Sequence, residues 1–327
     1  MPKEISHWYL ADRVKSNLPA DSVFFQPVHT CENLFFLGAV APDIPFYYLL
    51  GPRSARIQAA AEPFHRSDSK ALTPVLTFLD GVKQTSVDAG ALSLGAGILC
   101  HLLADTWFHP LVYYYSGMSR IHPGATARHR QFETALDLYF LHQTRARART
   151  SLGRILSETE VTRKKVLGYL GTLFGLDKPG DTTCLEYAVR SHVFCQALFQ
   201  KKGVYRMLSG LNRGGHGFLD VVLSLVYPDD EKEIPFFFDR LFQYRDPDTG
   251  QACRARISDL ARETETAALS VLTRVSDRMV QQRSLADMAE DTTLPRVRPG
   301  MAVGRFWREK NDLTTDLYHS QESVLKC

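Results

Sequence analysis

Cysteines are few in this chain, and their spacing matches neither a disulfide scaffold nor a cysteine-based zinc site. Six cysteines occur in 327 residues, and no two have the Cys-x-x-Cys spacing. A disulfide-rich fold needs a much denser set of cysteines. We therefore expect reduced thiols, several of them buried, as in cytoplasmic proteins.

An excess of charge of one sign is also lacking. Lys and Arg number 39, Asp and Glu number 36, and the formal net charge is +3. Proteins that bind nucleic acid neutralise phosphates with Lys and Arg and usually have a marked basic excess. The charge of this chain therefore does not indicate nucleic acid as a partner.

Long apolar runs are missing as well. The longest covers residues 91–100, whereas a helix that spans a bilayer needs roughly 20 apolar residues. The N-terminal segment 1–10 has no apolar signal core and no small-residue cleavage site. We expect a cytoplasmic protein without a signal peptide or a transmembrane segment.

Several catalytic motifs are absent. No histidine is followed directly by aspartate, which argues against the phosphohydrolases built on an adjacent His-Asp pair. No His-Glu-x-x-His motif occurs, which argues against a zincin protease. The sequence also has no convincing motif for a Ser or Cys nucleophile. Any catalysis is therefore expected to depend on other groups.

Helical periodicity is what the sequence does contain, and alternation of period two is scarce. This pattern predicts an all-α, multi-helix bundle. The expected helices cover Ile5–Val14, Ser69–Val82, Asp88–Phe108, Thr126–Arg149, Leu152–Phe174, Thr182–Lys201, Glu231–Tyr244 and Ile257–Gln282. The helix over 88–108 is apolar on all sides and should be central, and Pro110 should end it.

The division into domains is weakly marked. We expect residues 1–200 to form a helical metal-binding domain and residues 201–327 to form a helical C-terminal extension packed on it. The two parts together are also compatible with a single domain. The polar segment Ser284–Pro299 looks like an irregular connector.

Residues of the kinds that bind zinc cluster in one stretch. His101 and Asp105 form one i,i+4 pair, His129 and Glu133 form a second, and His109 lies between the pairs. On a helix this spacing puts both side chains on one face, about 5–6 Å apart at Cβ, where they can bind one ion. Chance predicts roughly one such pair in this composition, so the clustering is the informative feature. Asp105 also interrupts an apolar helix, and a buried carboxylate needs a strong partner.

Three further candidates precede this cluster. His7 lies on the first expected helix, Asp43 lies in a Gly/Pro-flanked loop over 38–45, and His65 follows Glu62-Pro-Phe. The complete order is His, Asp, His, His-x-x-x-Asp, His, His-x-x-x-Glu. In this order, over roughly residues 5–140, the chain resembles the zinc-dependent phospholipase C family. The same superfamily includes the single-strand-specific zinc nucleases.

The resemblance implies a set of metal ligands. It implies one zinc ion bound by Asp43, His65, His101 and Asp105. A second ion is bound by His109, His129 and Glu133, and a water bridges the two ions. His7 forms a third site together with Asp105, which also binds the first ion. It also implies that Asp43 is the catalytic general base. Secreted members complete the third site with the amino group of the mature N-terminal residue, which removal of a signal peptide exposes. Because we expect no signal peptide here, we expect two ions and regard the third as optional. Carboxylates and imidazoles also suit manganese or iron.

The same resemblance implies a zinc-dependent phosphoric ester hydrolase of the phospholipase C type. Two ions about 3.5–4 Å apart lower the pKa of a bound water and stabilise attack on a phosphodiester. The expected substrate is a lipid headgroup or another phosphodiester. A nuclease or nucleotidase, and a non-catalytic binding module stabilised by metal, stay open as alternatives.

Different features count against each of these functions. The near-neutral charge counts against nucleic acid, and the lack of an obvious amphipathic helix with a basic face counts against a lipid surface. A donor set of histidines and carboxylates counts against a closed structural zinc site, since such sites are typically rich in cysteine.

The remaining histidines and the aromatic runs are expected to be structural. The histidines in question are His29, His122, His142, His192, His216 and His319. The aromatic runs Phe46–Tyr48 and Val112–Tyr115 could line a substrate pocket, although such runs beside apolar helices more often belong to the core.

Overall fold

Helices make up most of the described chain. The computed structural model describes residues 4–85, 88–117, 124–144, 151–214, 219–228, 238–291 and 297–300. Apart from one two-stranded hairpin, the regular structure in these ranges is helical. The predicted all-α, multi-helix fold is therefore confirmed.

The elements are numbered along the chain. The α-helices are α1 Glu4–Ser16, α2 Phe25–Thr30, α3 Glu32–Gly38, α4 Ser54–Ala59, α5 Thr73–Thr85, α6 Ala89–Ser116, α7 Ala125–Thr144, α8 Leu152–Ser157, α9 Arg163–Phe174, α10 Asp181–Phe199, α11 Lys202–Gly214, α12 Asp220–Leu223 and α13 Ile257–Val280. Short 3-10 helices cover Ala41–Tyr47, Glu62–His65, Ser69–Leu72 and Ala286–Glu290. The hairpin pairs β1 Phe242–Arg245 with β2 Ala252–Ala255 in antiparallel register.

Helix α6 is the centre of the fold. Asp88 caps its N-terminus by accepting hydrogen bonds from the amides of Gly90 and Ala91. Within the described residues, α6 is the one helix long and apolar enough to cross a membrane, but 94% of that stretch is buried inside the protein. Its apolar character is therefore explained by the core that surrounds it.

Two glycines let α3 approach α6 closely. A Cβ atom on Gly38 would overlap the carbonyl oxygen of Leu94, and one on Gly97 would overlap that of Phe35. Because glycine has no side chain, the two backbones touch without a clash. The contact places the turn after α3, including Ala39, against the middle of α6.

Pro110 does not end α6, contrary to the prediction. The helix continues to Ser116 with Pro110 inside it. A proline inside a helix costs about 3 kcal/mol. Leu111 and Val112, which follow it, are 0% and 1% exposed, and complete burial of two such side chains contributes about 3–6 kcal/mol. Burial of the last turns therefore outweighs the proline.

The predicted helix over Leu152–Phe174 is two helices. Helix α8 ends at Ser157, and α9 begins at Arg163 after Thr162, whose hydroxyl accepts a hydrogen bond from the amide of Lys165. This side-chain cap marks a helix start that hydrophobic periodicity alone does not detect.

The predicted helix over Glu231–Tyr244 is wrong at its C-terminal end. Residues 231–237 lie outside the described ranges, and Phe242–Arg245 form strand β1. Buried and exposed residues alternate along this strand. Asp246 starts the following turn by accepting hydrogen bonds from the amides of Asp248 and Thr249. This alternation of period two was too short to stand out in the sequence.

The other helix boundaries differ less. The helix predicted over 126–149 is described as far as Thr144. Residues 145–150 lie outside the described ranges, as do His122, His216 and His319. The helix predicted over 257–282 ends at Val280. Five cysteines lie in the described ranges, and all five are free thiols.

Helix α13 packs directly on the central helix. Its residues Ala268, Val271 and Leu272 are buried in the same apolar cluster as Leu99 of α6. The hairpin contributes to a second apolar cluster that includes Phe242. The C-terminal third of the chain therefore shares the core of the helices that carry the site.

Helix α11, which was not among the expected helices, is amphipathic and partly exposed. Val204, Met207, Leu208 and Leu211 follow the i, i+3, i+4, i+7 pattern of one helix face. Met207 and Leu211 are 59% and 60% exposed. The helix contains Lys and Arg but no acidic residue.

Candidate metal centre

One face of α6 supplies three of the candidate ligands. His101, Asp105 and His109 lie four residues apart, so they project from the same side of the helix. They are 0%, 2% and 5% exposed, respectively. Three ionisable groups are therefore buried in a row on a helix that is otherwise apolar.

Two neighbouring helices bring further ligands to this face. Helix α7 contributes His129 and Glu133, which are four residues apart, and α1 contributes His7. The ring of His7 stacks on that of His101, with 4.3 Å between the centroids. Both predicted i,i+4 pairs thus lie on α-helices that face each other.

Short 3-10 helices carry the last two candidates. Asp43 was expected in a loop, but it lies in the 3-10 helix over 41–47, where Ala41 and Pro42 start the helical turn. His65 is the last residue of the 3-10 helix over 62–65. The Nε2 atom of His65 lies 3.1 Å from Oδ1 of Asp43.

The structure brings all eight candidates together in three neighbouring groups, two of which share His101. The groups are His7, His101 and Asp105; Asp43, His65 and His101; and His109, His129 and Glu133. Within each group the potential ligand atoms lie within 4.8 Å of one another. The second and third groups are subsets of the two ion sites that the resemblance implies, and His7 approaches His101 as well as Asp105.

Asp105 links the groups. Its carboxylate oxygens lie 3.5 Å from Nε2 of His7, 3.5 Å from Nε2 of His101 and 3.7 Å from Nε2 of His109. Glu133 occupies a similar position on α7: its Oε1 lies 2.8 Å from Nε2 of His129 and 3.6 Å from Nε2 of His109. Each carboxylate therefore faces several imidazole nitrogens.

Backbone carbonyls orient three of the rings. The Nδ1 atoms of His101 and His65 lie 3.0 Å from the carbonyl oxygens of Ala39 and Ala61, and Nδ1 of His109 contacts that of Pro299. A carbonyl oxygen can only accept, so Nδ1 donates in each case. In the neutral ring, Nε2 is then left with a free lone pair directed at the cluster.

Burial shifts the pKa values of the cluster in opposite directions. It lowers the pKa of His7 to about 3 and raises the pKa of Asp105 to about 7. Burial also disfavours a charge on His109, but Asp105 and Glu133 outweigh it and raise its pKa to about 9. Buried carboxylates and imidazoles thus compete for protons, a conflict that a bound cation would remove.

Several buried nitrogen and oxygen atoms of the cluster lack hydrogen-bond partners, and their chemistry suits divalent ions. Among the described residues, Nε2 of His101, Nε2 of His109 and Oδ2 of Asp105 are buried without a hydrogen-bond partner, and so are both ring nitrogens of His7. Buried polar atoms of native proteins nearly always have partners. Imidazole nitrogens and carboxylate oxygens are ligands of zinc, manganese and iron.

The cluster lines a small cavity, and a larger cleft lies beside it. The cavity has a volume of about 20 Å³ and is lined by His7, Asp105, His109 and Glu133 among others, which is room for one water-sized particle. The cleft has a volume of about 440 Å³ and is lined by residues around His65. The cluster is therefore buried but close to an opening.

Two contacts of the site were missed in the sequence. Pro299 is 190 residues away from the histidine it contacts, and no local pattern reports such a contact. Tyr113 belongs to the aromatic run Val112–Tyr115, and its ring centroid lies 4.7 Å from that of His129. It reaches this position because α6 continues past Pro110.

Comparison with known proteins gives one finding for this chain. The model of a family described as zinc dependent phospholipase C matches residues 6–188, which is more than half of the sequence. The matched segment contains all eight candidates and ends before α11. No curated protein and no solved structure matches the chain.

Proposed function

Because the chain belongs to the zinc-dependent phospholipase C family, we propose that it is a metal-dependent phosphoester hydrolase with its active centre at this cluster. The observation that carries the proposal is the convergence of buried ligand atoms that lack hydrogen-bond partners. A purely structural cluster of this size would satisfy its polar atoms internally.

The ligand set that we propose follows the three groups. Asp43, His65 and His101 hold one ion, and His109, His129 and Glu133 hold a second. Asp105 lies between these sites, and His7 with Asp105 offers a third, optional one. When bound, zinc or a similar ion supplies a Lewis acid for the phosphoryl oxygens and an acidified water.

Asp43 is the proposed general base. It is 3% exposed, and its partner His65 lines the open cleft. Burial disfavours its ionised form, but His101 and His65 outweigh this effect and keep the pKa of Asp43 below its ordinary value. The carboxylate is therefore ionised at neutral pH and accepts the proton of the attacking water at an oxygen beside the cleft.

Two substitutions test these roles. Asp105→Asn should weaken metal binding and lower hydrolysis of a chromogenic phosphodiester at least about a thousandfold. Asp43→Asn should lower kcat by about 10²–10⁴-fold when it is measured at saturating metal, because asparagine keeps an oxygen for the ion but cannot take up the proton. Asp68→Asn, which changes an exposed carboxylate of the same cleft, is the matched control and should retain activity. Wild-type activity in metal-loaded Asp43→Asn would show that another group is the base.

Helix α11 supports a lipid headgroup as the substrate. Its exposed Met207 and Leu211 lie on a helix whose charged residues are all basic. Such a helix lies in the interface of an anionic membrane, with its apolar face among the acyl chains. This feature favours phospholipid over a nucleic-acid phosphoester, since the net charge of +3 is not the marked basic excess that nucleic acid usually requires.

Helix α12 connects this surface to the metal-bearing helix α7. Asn212 of α11 donates a hydrogen bond to Asp220 of α12, and Thr134 of α7 donates one to the carbonyl of Ser224, just after α12. Thr134 follows Glu133 in the chain. The exposed residues Val221 and Val222 of α12 extend the apolar surface towards α7.

Vesicle assays separate the lipid proposal from hydrolysis itself. The double variant Met207→Glu, Leu211→Glu should lose hydrolysis of phosphatidylcholine vesicles containing phosphatidylglycerol but retain hydrolysis of a soluble phosphodiester. Val280→Glu changes a residue of α13 that is 69% exposed and serves as the control. Equal vesicle activity in the double variant and the control would contradict the lipid surface and leave a nucleotidase or nuclease as the better candidate.

A further inference from the structure

Residues 297–300 form a short strap against the metal centre. The amide of Arg298 donates to Oγ1 of Thr106 on α6, at 3.0 Å, and the carbonyl of Pro299 accepts from Nδ1 of His109. The amide of Gly300 donates to the carbonyl of Arg66, at 3.0 Å. The backbone groups of three consecutive residues thus form hydrogen bonds with α6 on one side and with Arg66, next to the 3-10 helix over 62–65, on the other.

The strap has the same role for His109 that local carbonyls have for two other histidines. His101 and His65 donate to the carbonyls of Ala39 and Ala61, both within the segment that matches the family. His109 donates instead to a carbonyl outside that segment. Such outer hydrogen bonds fix the tautomer and the ring orientation of a metal-binding histidine.

The hairpin anchors the strap. The guanidinium of Arg298 forms ion pairs with Asp246 and Asp248, both in the turn between β1 and β2. The side chains of Arg298 and Asp246 are 11% and 10% exposed, so this ion pair is largely shielded from solvent. Asp246 also accepts hydrogen bonds from two amides of its own turn, which fixes the anchor.

Gly300 brings the strap into contact with the other side of the centre. A Cβ atom on Gly300 would overlap the carbonyl oxygen of His65, a residue 18% exposed at its side chain. Pro299 and Gly300 are buried. The strap is therefore seated between α6 and the 3-10 helix over 62–65, and an added methyl group cannot be accommodated without displacing it.

We propose that the 297–300 strap is a positioning element of the metal centre, in which the carbonyl of Pro299 holds His109 with its Nε2 atom directed at the ions. This inference rests on the proposed metal function of the cluster. It makes the C-terminal part of the chain, through its hairpin and strap, necessary for full metal affinity at the His109, His129 and Glu133 group.

Gly300→Ala tests the strap without removing any hydrogen-bonding group. Loss of an outer partner typically weakens metal binding about 10–100-fold, and we expect a loss of this size for one class of site in a zinc competition titration. The absorption spectrum of the cobalt-substituted protein should change as well, because the ring of a ligand is released. Gly203→Ala, on an exposed face of α11 where nothing lies near the added methyl group, should behave like the wild type.

A second pair of variants covers the case in which Gly300→Ala does not fold. Thr106→Val removes the hydroxyl that accepts from Arg298, and Thr106→Ser keeps it. We expect weaker metal binding and an altered cobalt spectrum for the valine variant, and recovery of both with serine. A merely structural role of Thr106 would lower stability without changing the spectrum.

The outcomes separate this inference from the proposed function. The proposed role of the strap would be wrong if the wild type bound metal and both Gly300→Ala and Thr106→Val had unchanged affinity and cobalt spectra. That result would not contradict the metal centre itself. Failure of the wild type itself to bind zinc or cobalt would overturn the metal function and the strap with it. Selective weakening of one class of site in both variants would support the strap.

Discussion

Two buried clusters of carboxylates and histidines lie against α1, and they differ in how their carboxylate oxygens are paired. His7 of α1 belongs to the metal cluster, while Glu4, in the same first turns of the helix, belongs to a separate network. In that network, Nε2 of His192 lies 2.7 Å from Oε1 of Glu4, and the hydroxyl of Tyr47 donates to the same oxygen. One carboxylate oxygen is thus paired with two protein donors.

Asp137 completes the second network. It accepts hydrogen bonds from the amides of Ile5 and Ser6, from the hydroxyl of Ser6 and from that of Tyr227. These bonds cap the N-terminus of α1 with a side chain from another helix. Asp137 is 0% exposed, and its charge is balanced by donors within the protein.

The comparison shows that residue type alone does not identify a metal site. Both clusters contain buried histidine and carboxylate side chains. In one, the carboxylates accept from backbone amides and hydroxyls, so they stabilise the fold. In the other, Asp105 faces imidazole nitrogens at 3.5–3.7 Å, and one of its oxygens has no hydrogen-bond partner. The second arrangement is compatible with a bound cation, as we propose.

The largest difference between the clusters should be in activity. Asp105→Asn should lower phosphodiester hydrolysis at least about a thousandfold, or ~4 kcal/mol of transition-state stabilisation, with an unchanged far-UV circular dichroism spectrum. Asp137→Asn should retain its bound metal. If both variants lost metal to the same extent, the distinction between the clusters would be wrong.

The second effect should be on stability. Asp137→Ala leaves the amides of Ile5 and Ser6 and the hydroxyl of Tyr227 without their acceptor, so we expect the free energy of unfolding to fall by about 3 kcal/mol. Urea unfolding followed by circular dichroism measures this. Asp12→Ala, an exposed position on α1, is the control, and a comparable loss there would mean that Asp137 does not cap the helix.

Removal of the metal should also lower the free energy of unfolding, by slightly less than Asp137→Ala does. At a free ion concentration of 100 times Kd, binding adds about 2.7 kcal/mol to the free energy of unfolding. A chelator should therefore lower the stability of the wild type and of Asp137→Ala by this amount, and that of Asp105→Asn, which binds less metal, by a smaller amount. An equal response of all three proteins would place the stabilising ion elsewhere.

The smallest effect concerns Asp88, the cap of the helix that bears the metal cluster. Partial burial raises its pKa, but hydrogen bonds from Lys165, Tyr169 and the amide of Ala91 outweigh this and lower it. A lowered pKa stabilises the fold above the ordinary value and loses that contribution as the pH falls through the folded value. Asp88→Ala should cost about 1 kcal/mol at neutral pH.

The variant Asp88→Asn distinguishes the contribution of the hydrogen-bonded helix cap from that of the negative charge. Asp88→Asn keeps a side-chain acceptor for the helix amides, so most of the stability at neutral pH should remain. The difference in unfolding free energy between wild type and Asp88→Asn should shrink as the pH falls towards 2. A difference that does not change with pH would show that the charge of Asp88 is not involved.

The part of the site that could be predicted from the sequence is the part encoded by local spacing. His101 and Asp105, or His129 and Glu133, lie on one helix face whatever surrounds them. Which face of α6 meets α7 depends on packing between distant residues. The order of the ligand types, through its resemblance to a family, therefore carried more information than the spacing did.

The parts that could not be predicted depend on contacts between distant segments. Pro110 stays inside α6 because Leu111 and Val112 are buried, and burial is a property of the folded chain. The strap reaches His109 across 190 residues. A local pattern contains no signal for either feature.

The metal content of the purified protein decides directly whether the cluster is a metal centre. Inductively coupled plasma mass spectrometry of the purified wild type, before and after reconstitution with zinc, should find about two equivalents of a divalent transition metal per chain. Asp105→Asn, treated in parallel, should retain less. Wild-type protein that binds no metal before or after reconstitution would contradict the account.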